Sequence, residues 1–238
     1  MTRRRWIADE VSGRRAALTA DHAAHLVRVL RARVGQEFDV VANAVVRRGT
    51  IASITNDRVE FELGEEVIAQ PSSAKLSVLL AIFKFDRMEW AIEKCTELGV
   101  ARIIPLIAQR SDVHLAAASD KRVERWRRIS HQAAQQSRRA TAPEISHPMK
   151  LVDALSMAAR LKIVLSEAED QIQLREIRLP ADGEEVLLAI GPEGGWTGVE
   201  LDLFQKESWL SASLGPTVLR AETAAIAATA ITLSSVGV

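Results

Sequence analysis

Residues 186–200 read VLLAIGPEGGWTGVE, and this stretch decides the fold class of the chain. Residues 186–190 are all apolar, which is typical of a strand buried on both faces of a sheet. Residues 191–195 combine three glycines with a proline and a glutamate, which predicts a loop whose backbone can approach a ligand closely. Thr197 and Glu200 then have the spacing of a capping box, which predicts the start of a helix. A buried strand, a glycine-rich loop and a capped helix form one βα unit of a parallel sheet.

The same alternation of strand and helix continues on both sides of this unit. Apolar or β-branched runs predict further strands at residues 76–83, 100–107, 161–166 and 209–214. Between them, a helix capped by Asp86 is predicted to end at Gly99, and a long helix is predicted from Ser119 to about Arg139. An alanine-rich helix closes the chain. We therefore expect residues 74–238 to form an α/β domain, a parallel sheet with helices on both faces.

The first 70 residues have a different pattern. Short runs that mix β-branched and polar residues predict strands at residues 5–8, 37–42, 49–54 and 58–67. One helix is expected among them, with Thr19 as its N-cap and Gly35 at its end. We expect residues 1–70 to form a small β-barrel domain with one helix, followed by a linker at residues 70–73.

Composition excludes several classes of protein. The chain has 238 residues, of which 47% are hydrophobic and 26% charged, the balance of a soluble globular protein. Its single cysteine, Cys95, excludes a disulfide framework and a multi-cysteine zinc site, and it fits the reducing cytosol. The five histidines lack zinc-site spacing, and the longest uncharged run, residues 223–238, falls short of the about 20 apolar residues of a membrane span. We expect a cytoplasmic protein with neither a metal site nor a membrane segment.

Charge is unevenly distributed, although the total is balanced at 31 basic and 31 acidic residues. Residues 71–150 carry 14 basic and 8 acidic side chains, whereas residues 151–238 carry 6 and 13. Arginines outnumber lysines by 24 to 7, and the planar guanidinium group suits phosphates and stacks on bases. A solvated helix face and a bound polyanion both explain such a basic region, so both interpretations stand at this point.

Three loops are candidates for a ligand site, because open parallel sheets bind ligands at the carboxyl ends of their strands. They follow Ser166, Ile190 and Leu214. The third loop places Arg220 and Glu222 at the start of the otherwise uncharged last helix. The helix dipole accounts for Glu222 but not for Arg220. The chain lacks the dinucleotide-binding glycine fingerprint, the P-loop and the nucleophile elbow, which argues against those enzyme classes.

The motifs of these loops, with others along the chain, are similar to those of one known family. They are GPEGG at residues 191–195, LG at 214–215, LRAETA at 219–224, EKCTELGV at 93–100, PEI at 143–145 and HLVRVLR at 25–31. In this order and over nearly the whole chain, they resemble the RsmE family of 16S ribosomal RNA uridine N3-methyltransferases, members of the knotted SPOUT superfamily. The chain departs from the family's pattern at Thr217, where an Arg or Lys is usual, and at Gln135, where a Glu is usual.

The resemblance implies a fold, a cofactor and partners. Residues 74–238 would form a SPOUT methyltransferase domain with a trefoil knot, and residues 1–70 a PUA-like RNA-binding β-barrel. The cofactor would be S-adenosylmethionine, the substrate the 16S rRNA of the small ribosomal subunit, and the assembly a homodimer. The positions that match the family's cofactor-binding loops are Leu165, Ser166, Glu167, Ile190, Gly191, Pro192, Gly194, Leu214, Gly215, Leu219 and Ala221.

The implied reaction also indicates candidate catalytic groups. The N3 atom of uridine becomes a good nucleophile only after losing its proton, which a carboxylate can accept. A cation beside the carbonyl oxygens would stabilise the resulting anion. Arg220 or Arg110 is the expected cation and Glu193 the expected carboxylate. Glu193 has an equally good structural interpretation, in which it binds backbone N–H groups of its own loop.

RNA contacts are expected from arginines in both parts of the chain. They are Arg3, Arg5, Arg28, Arg31, Arg138 and Arg139. Two other functions stay open at this stage. One is a non-catalytic RNA-binding factor in ribosome assembly, and the other is a SPOUT enzyme that methylates a ribose 2′-hydroxyl or a transfer RNA.

Overall fold

The computed structural model describes residues 5–43, 45–55, 57–67, 75–137, 139–180 and 183–234. The chain divides into two compact units. The first consists of Met1–Gln70 and Gln135–Thr141, and the second of Pro71–Ala134 and Ala142–Val238. The predicted linker at residues 70–73 lies outside the described residues.

The first unit contains a six-stranded sheet. Its strands are Arg5–Ile7 (β1), Glu10–Ser12 (β2), Arg15–Thr19 (β3), Glu37–Ala42 (β4), Val45–Ile54 (β5) and Arg58–Glu66 (β6). They lie in the order β1-β4-β5-β6-β3-β2, and the pairings are antiparallel except that of β1 with β4. The four strands predicted for this region are all present, with β5 longer at its start than the sequence pattern indicates.

Strands β2 and β3 form a hairpin where the sequence pattern predicts none. Gly13 lies in the turn between them with a φ of 57°, a conformation that glycine adopts without strain. β3 pairs with β6 on its other side, so Ala16, Ala17 and Leu18 are buried. The prediction missed β3 because alanine has no strand preference of its own, and pairing on both sides outweighs that local preference.

The helix of this unit is shorter than predicted. Thr19 precedes it as expected, but the α-helix Ala20–Ala24 (α1) continues as a π-helical segment at His25–Val29 and stops there. Arg31 then has a φ of 52°, which is incompatible with a continuing right-handed helix, so the chain turns before Gly35.

The second unit contains a sheet in which the described pairings are all parallel. Its strands are Lys75–Ala81 (β7), Arg102–Ile107 (β8), Glu144–Ile145 (β9), Met149–Lys150 (β10), Leu161–Leu165 (β11), Glu185–Ile190 (β12) and Leu210–Ala212 (β13). The order is β10-β8-β7-β12-β11-β13, and β9 also pairs with β8. The predicted α/β architecture with a parallel sheet is confirmed.

Helices cover this sheet. They are Phe85–Leu98 (α2), Val113–Ser119 (α3), Val123–Gln136 (α4), Leu151–Leu155 (α5), Gly198–Lys206 (α6) and Ala221–Ser234 (α7). α2 ends at Gly99 as predicted, where a φ of 115° gives a left-handed C-cap. The prediction that Asp86 caps α2 is wrong, because Lys84 is the N-cap residue and Asp86 lies inside the first turn.

The long helix predicted from Ser119 to about Arg139 is present over Val123–Gln136 (α4), but it starts later than predicted and a separate helix precedes it. α3 begins at Val113 because the Asp112 side chain accepts hydrogen bonds from the backbone N–H groups of His114 and Leu115, at 2.8 and 3.0 Å. A 3₁₀ turn at residues 120–122 separates α3 from α4, which ends at Gln136.

The central strand β12 is buried on both faces, as its sequence predicts. Val186, Leu188 and Ile190 face a core that contains α2 and α7, whereas Leu187 and Ala189 face a second core with α5 and α6. On the first face Cys95 of α2 is buried, and burial raises the pKa of its thiol to about 11, so this cysteine is a core residue, as its position in the sequence indicates. None of the described helices is long and apolar enough to span a membrane.

Candidate active site

The three loops that follow β11, β12 and β13 line one cavity of about 850 Å³. β12, β11 and β13 are neighbours in the sheet and run parallel, so their carboxyl ends meet at one edge. Of the residues predicted to contact a cofactor, those that line this cavity are Leu165, Ser166, Glu167, Ile190, Gly191, Pro192, Leu214, Gly215, Leu219 and Ala221. Gly194 does not line it, although its neighbours Glu193 and Gly195 do.

The indole of Trp196 holds two of the loops together. Its Nε1 donates a hydrogen bond of 2.8 Å to the carbonyl oxygen of Leu165, at the end of β11. A Cβ atom at Gly191 would lie 3.2 Å from Cε2 and Nε1 of this indole, which is too close for an ordinary contact. Gly195 closes the loop with a φ of 68° and donates a 2.9 Å hydrogen bond to the carbonyl oxygen of Pro192. The loop therefore has a definite shape that depends on glycine.

The capping box predicted at the start of α6 is present. The Thr197 side chain accepts from the backbone N–H of Glu200, and the Glu200 carboxylate accepts from the backbone N–H of Thr197 at 2.8 Å. Glu200 is buried and also accepts a 2.7 Å hydrogen bond from the backbone N–H of Gln109, which follows β8. This network fixes the end of the glycine-rich loop to α6 and to the residues that follow β8.

Arg110 supports the loop from a different position than expected. Its Nη1 donates hydrogen bonds to the carbonyl oxygens of Gly194 and Trp196, at 2.7 and 3.4 Å. Arg110 does not line the cavity, whereas Arg220 is exposed and does line it. Of the two arginines proposed as the catalytic cation, Arg220 is therefore the one placed at the cavity.

Glu193 lies at the cavity and has a charged partner that sequence reasoning missed. Its Oε1 is 2.6 Å from Nη1 of Arg87, and Nε of Arg87 is 3.7 Å from Oε1 of Glu222. Both Arg87 and Lys84 line the cavity. They follow β7, which lies beside β12 in the sheet, so the loop after β7 reaches the same edge. The strand order, which the sequence alone does not provide, was the missing signal.

Glu222 is buried, and its Oε2 has no hydrogen-bond partner among the residues that the structure describes. The helix dipole predicted its place at the start of α7, but not its burial. A buried carboxylate requires a compensating charge, and Arg87 supplies it to Glu222. Arg87 therefore pairs with one buried carboxylate and with Glu193 at the cavity.

The loop after β11 is ordered by its own side chains. Glu169 accepts hydrogen bonds from the backbone N–H groups of Gln171 and Ile172, at 2.9 and 3.1 Å, and these bonds lower the pKa of its carboxyl group. Ser166 Oγ accepts from the backbone N–H of Ala168 at 3.2 Å.

Within the described part of the chain, no group of three or more His, Cys, Asp or Glu side chains is arranged to hold a metal ion.

The arginines expected to bind RNA are only partly described. Arg3 and Arg138 lie outside the described residues. In the first unit, Arg28 is exposed on the π-helical segment and Arg31 is exposed beyond its end, whereas Arg5 is partly buried. Arg139 is also partly buried, and burial lowers the pKa of its guanidinium group.

Comparison with known proteins identifies the family. Residues 70–233 match the family model described as an RNA methyltransferase domain. A protein named ribosomal RNA small subunit methyltransferase E from Synechocystis sp. is 32% identical over 87% of this chain and 69% of its own length. Its namesake from Rickettsia conorii is 30% identical over 90% of this chain and 87% of its own length. The chain belongs to the ribosomal RNA small subunit methyltransferase E family.

A solved structure of this family is similar to the whole chain. It is a ribosomal RNA small subunit methyltransferase E from Neisseria gonorrhoeae bound to S-adenosylmethionine, with 28% sequence identity and a TM-score of 0.75. The match covers 96% of each chain. The family resemblance carried by the loop motifs is therefore confirmed.

Proposed function

We propose that this protein transfers a methyl group from S-adenosylmethionine to N3 of a uridine in the 16S rRNA of the small ribosomal subunit. The observation that carries the proposal is the single cavity lined by the loops after β11, β12 and β13, at the strand ends where parallel sheets bind their ligands. Family relatives are named small-subunit rRNA methyltransferases, and the gonococcal structure is described as bound to S-adenosylmethionine.

The cavity suits a cofactor of this kind. Its volume of about 850 Å³ lies within the range of roughly 300–1,000 Å³ that is usual for small-molecule sites. The lining combines apolar side chains such as Leu165 and Ile190 with the backbone of Gly191 and Gly215. Gly215 has a φ of 122°, which only glycine adopts readily, so its loop can present backbone groups to a ligand.

The charged residues at the cavity suit methylation of a base nitrogen. S-adenosylmethionine supplies a methyl group on a positively charged sulfur, which leaves with the electron pair of the methyl–sulfur bond. Arg220 at the cavity can donate hydrogen bonds to the uracil carbonyl oxygens, which gain negative charge when N3 loses its proton. The Glu193 carboxylate accepts that proton.

Substitution of Glu193 by Gln separates its two possible roles. If Glu193 accepts the proton, Glu193→Gln should bind S-adenosylmethionine with unchanged affinity and lose about a hundredfold or more in turnover. Calorimetry and single-turnover methylation of small subunits measure the two quantities. Unchanged turnover would leave Glu193 with a structural role only.

The proposal includes the finer features that the family resemblance implies. The second unit would have a trefoil knot, and the first would be a PUA-like module that grips folded RNA through its exposed Arg28 and Arg31. The target base would leave its stack to enter the cavity. The active form would be a homodimer in the cytoplasm, with the alanine-rich α7 helping to form its interface.

Nucleoside mass spectrometry tests the proposed reaction directly. Small-subunit rRNA from a strain that lacks this gene should lack N3-methyluridine, and the purified protein with S-adenosylmethionine should restore it. A missing 2′-O-methylated nucleoside, or a nucleoside missing from transfer RNA, would indicate a different methyltransferase. Unchanged nucleosides, together with no calorimetric binding of S-adenosylmethionine, would indicate a non-catalytic assembly factor.

A further inference from the structure

Arg87 joins three elements that are distant in sequence. It lies in the first turn of α2, its Nη1 is 2.6 Å from Oε1 of Glu193 on the glycine-rich loop, and its Nε is 3.7 Å from Oε1 of Glu222 at the start of α7. Arg87 and Glu193 both line the cavity. A single guanidinium group therefore connects the helix after β7 with the loop after β12 and with the last helix.

The two carboxylates that contact Arg87 differ in their surroundings. The Glu222 side chain is only 5% exposed, whereas that of Glu193 is 39% exposed and borders the cavity. Removing the charge of Arg87 would leave a buried carboxylate without its ionic partner, which is costly. Glu222 therefore anchors Arg87 from the interior, and Arg87 presents its other donor to Glu193.

The second carboxylate offsets the formal charge of Arg87. One guanidinium and two carboxylates carry a net charge of −1, so the group becomes neutral when it accepts one proton. A simple Arg–Glu pair would instead become positive, beside a sulfonium that is itself positive. Of the two carboxylates, Glu193 is the one open to the cavity.

We propose that Arg87 is a positioning residue for the methyl transfer: anchored by Glu222, it holds the Glu193 carboxylate in the orientation that accepts the N3 proton. This inference rests on the proposed function and deepens it. It assigns to Arg87 an effect that acts through Glu193. An arginine suits this role better than a lysine, because its planar guanidinium can hydrogen-bond to Glu193 through Nη1 while its Nε faces Glu222 as an ion pair.

A double-mutant cycle tests the inference. The proteins are the wild type, Arg87→Gln, Glu193→Gln and the double variant, assayed on small ribosomal subunits from the deletion strain. We expect Arg87→Gln to lower kcat about tenfold or more while changing the Kd for S-adenosylmethionine by less than about threefold. In the Glu193→Gln background, the same substitution should lower kcat by less than about twofold, because the group that Arg87 orients is then absent.

Two further variants serve as controls for this experiment. Arg87→Gln with Glu222→Gln removes the buried charge together with its partner, so this protein should fold and show the same loss in kcat. Lys94→Gln is the matched control, because Lys94 lies on the same helix and also bridges two carboxylates, those of Glu93 and Glu97, at 2.7 and 2.8 Å. Its kcat should equal that of the wild type.

The outcomes separate this inference from the proposed function. Wild-type kcat in Arg87→Gln, or an equal fold loss in both backgrounds, would overturn the inference alone, since the wild type would still methylate the subunit. A wild type that does not methylate small-subunit rRNA would overturn the proposed function and this inference with it.

Discussion

Gly191 shows how the absence of one side chain shapes the cavity. The indole of Trp196 packs directly against it and at the same time bonds to the carbonyl oxygen of Leu165. A Cβ at residue 191 would crowd the indole that holds the loop after β12 against the end of β11.

Substitution of Gly191 by Ala should weaken cofactor binding. The added methyl group would lie 3.2 Å from the indole, so Trp196 must shift by a few tenths of an ångström, and we expect this shift to weaken its 2.8 Å bond to Leu165. We expect about a tenfold or greater increase in the Kd for S-adenosylmethionine, since loss of one buried hydrogen bond with repacking costs about 1–3 kcal/mol. Isothermal titration calorimetry measures this change.

Gly198→Ala is the control for that substitution. A Cβ at Gly198 meets no atom within 4 Å, and this residue begins α6. Its Kd should match that of the wild type. Equal Kd values for the Gly191 and Gly198 variants would show that the indole contact does not shape the site.

The sequence predicts most residues of the candidate site, but not Arg87 or the burial of Glu222. Glu193 and Arg220 were found because they lie in loops at strand ends. Arg87 was missed because it follows β7, and only the order of strands in the folded sheet shows that β7 lies beside β12. The burial of Glu222 depends on packing that no local sequence pattern encodes.

The start of α6 determines how firmly the glycine-rich loop is held. Thr197 caps the helix, and its Oγ1 also lies 2.8 Å from the side-chain oxygen of Gln109. The end of the loop is thus bonded both to α6 and to the residues that follow β8.

Thr197→Ala should lower both stability and cofactor affinity. Loss of the cap costs about 1 kcal/mol, and for a chain of this size that lowers Tm by about 2–4 °C. Thr197→Ser keeps the hydroxyl group and should retain most of the wild-type Tm. Differential scanning calorimetry compares the three proteins, and an Ala variant with the Tm of the Ser variant would contradict the role of the cap.

The cap of α3 gives a pH-dependent contribution. Hydrogen bonds from the backbone N–H groups of Leu115 and His114 lower the pKa of Asp112 below its ordinary value of 3.8. A lowered pKa in the folded state means that the stabilisation is present above that ordinary value and is lost as the pH falls through the folded-state value. The Tm difference between wild type and Asp112→Ala should be full at pH 7 and shrink below pH 3.8. A constant difference would contradict this assignment.

At the scale of elements, the all-apolar strand pattern and the capping box were reliable signals, whereas the single acidic residue Asp86 does not cap α2 as predicted. The all-apolar β12 and the capping box of α6 are where the sequence predicts them, because both depend on short-range patterns. The β2–β3 hairpin and the division between α3 and α4 were missed. β3 depends on pairing with β6, and the Asp112 cap of α3 was not recognised in the sequence, so the long helix was predicted to start at Ser119 instead of at Val123.

Charge distribution governs how the whole molecule would meet RNA. Arginine contacts to phosphates release counterions, so binding to small-subunit rRNA should fall about tenfold or more between 50 and 200 mM salt. Arg28→Gln should reduce the slope of log K against log salt by about one. Lys206→Gln, an exposed lysine on α6 in the acidic last third, should leave the slope unchanged. Filter binding at several salt concentrations measures these slopes, and a flat response in the wild type would contradict an electrostatic interface.

The division of the chain into two parts was visible in the sequence, but its details were not. The change from short alternating runs to strand–helix repeats indicates two parts with a boundary near residue 70. The segment Gln135–Thr141 belongs to the first compact unit although it begins with the last two residues of α4, whose other residues belong to the second. The assignment of this segment to the first unit depends on contacts between residues distant in sequence, which composition and periodicity do not encode.

The structure of the protein crystallised with S-adenosylmethionine is the most direct measurement for this account. We expect the methyl donor to lie in the cavity between the loops after β11, β12 and β13, in contact with the backbone near Leu165, Gly191 and Leu214. A donor that lies elsewhere, or a cavity that stays empty at saturating concentration, would contradict the account.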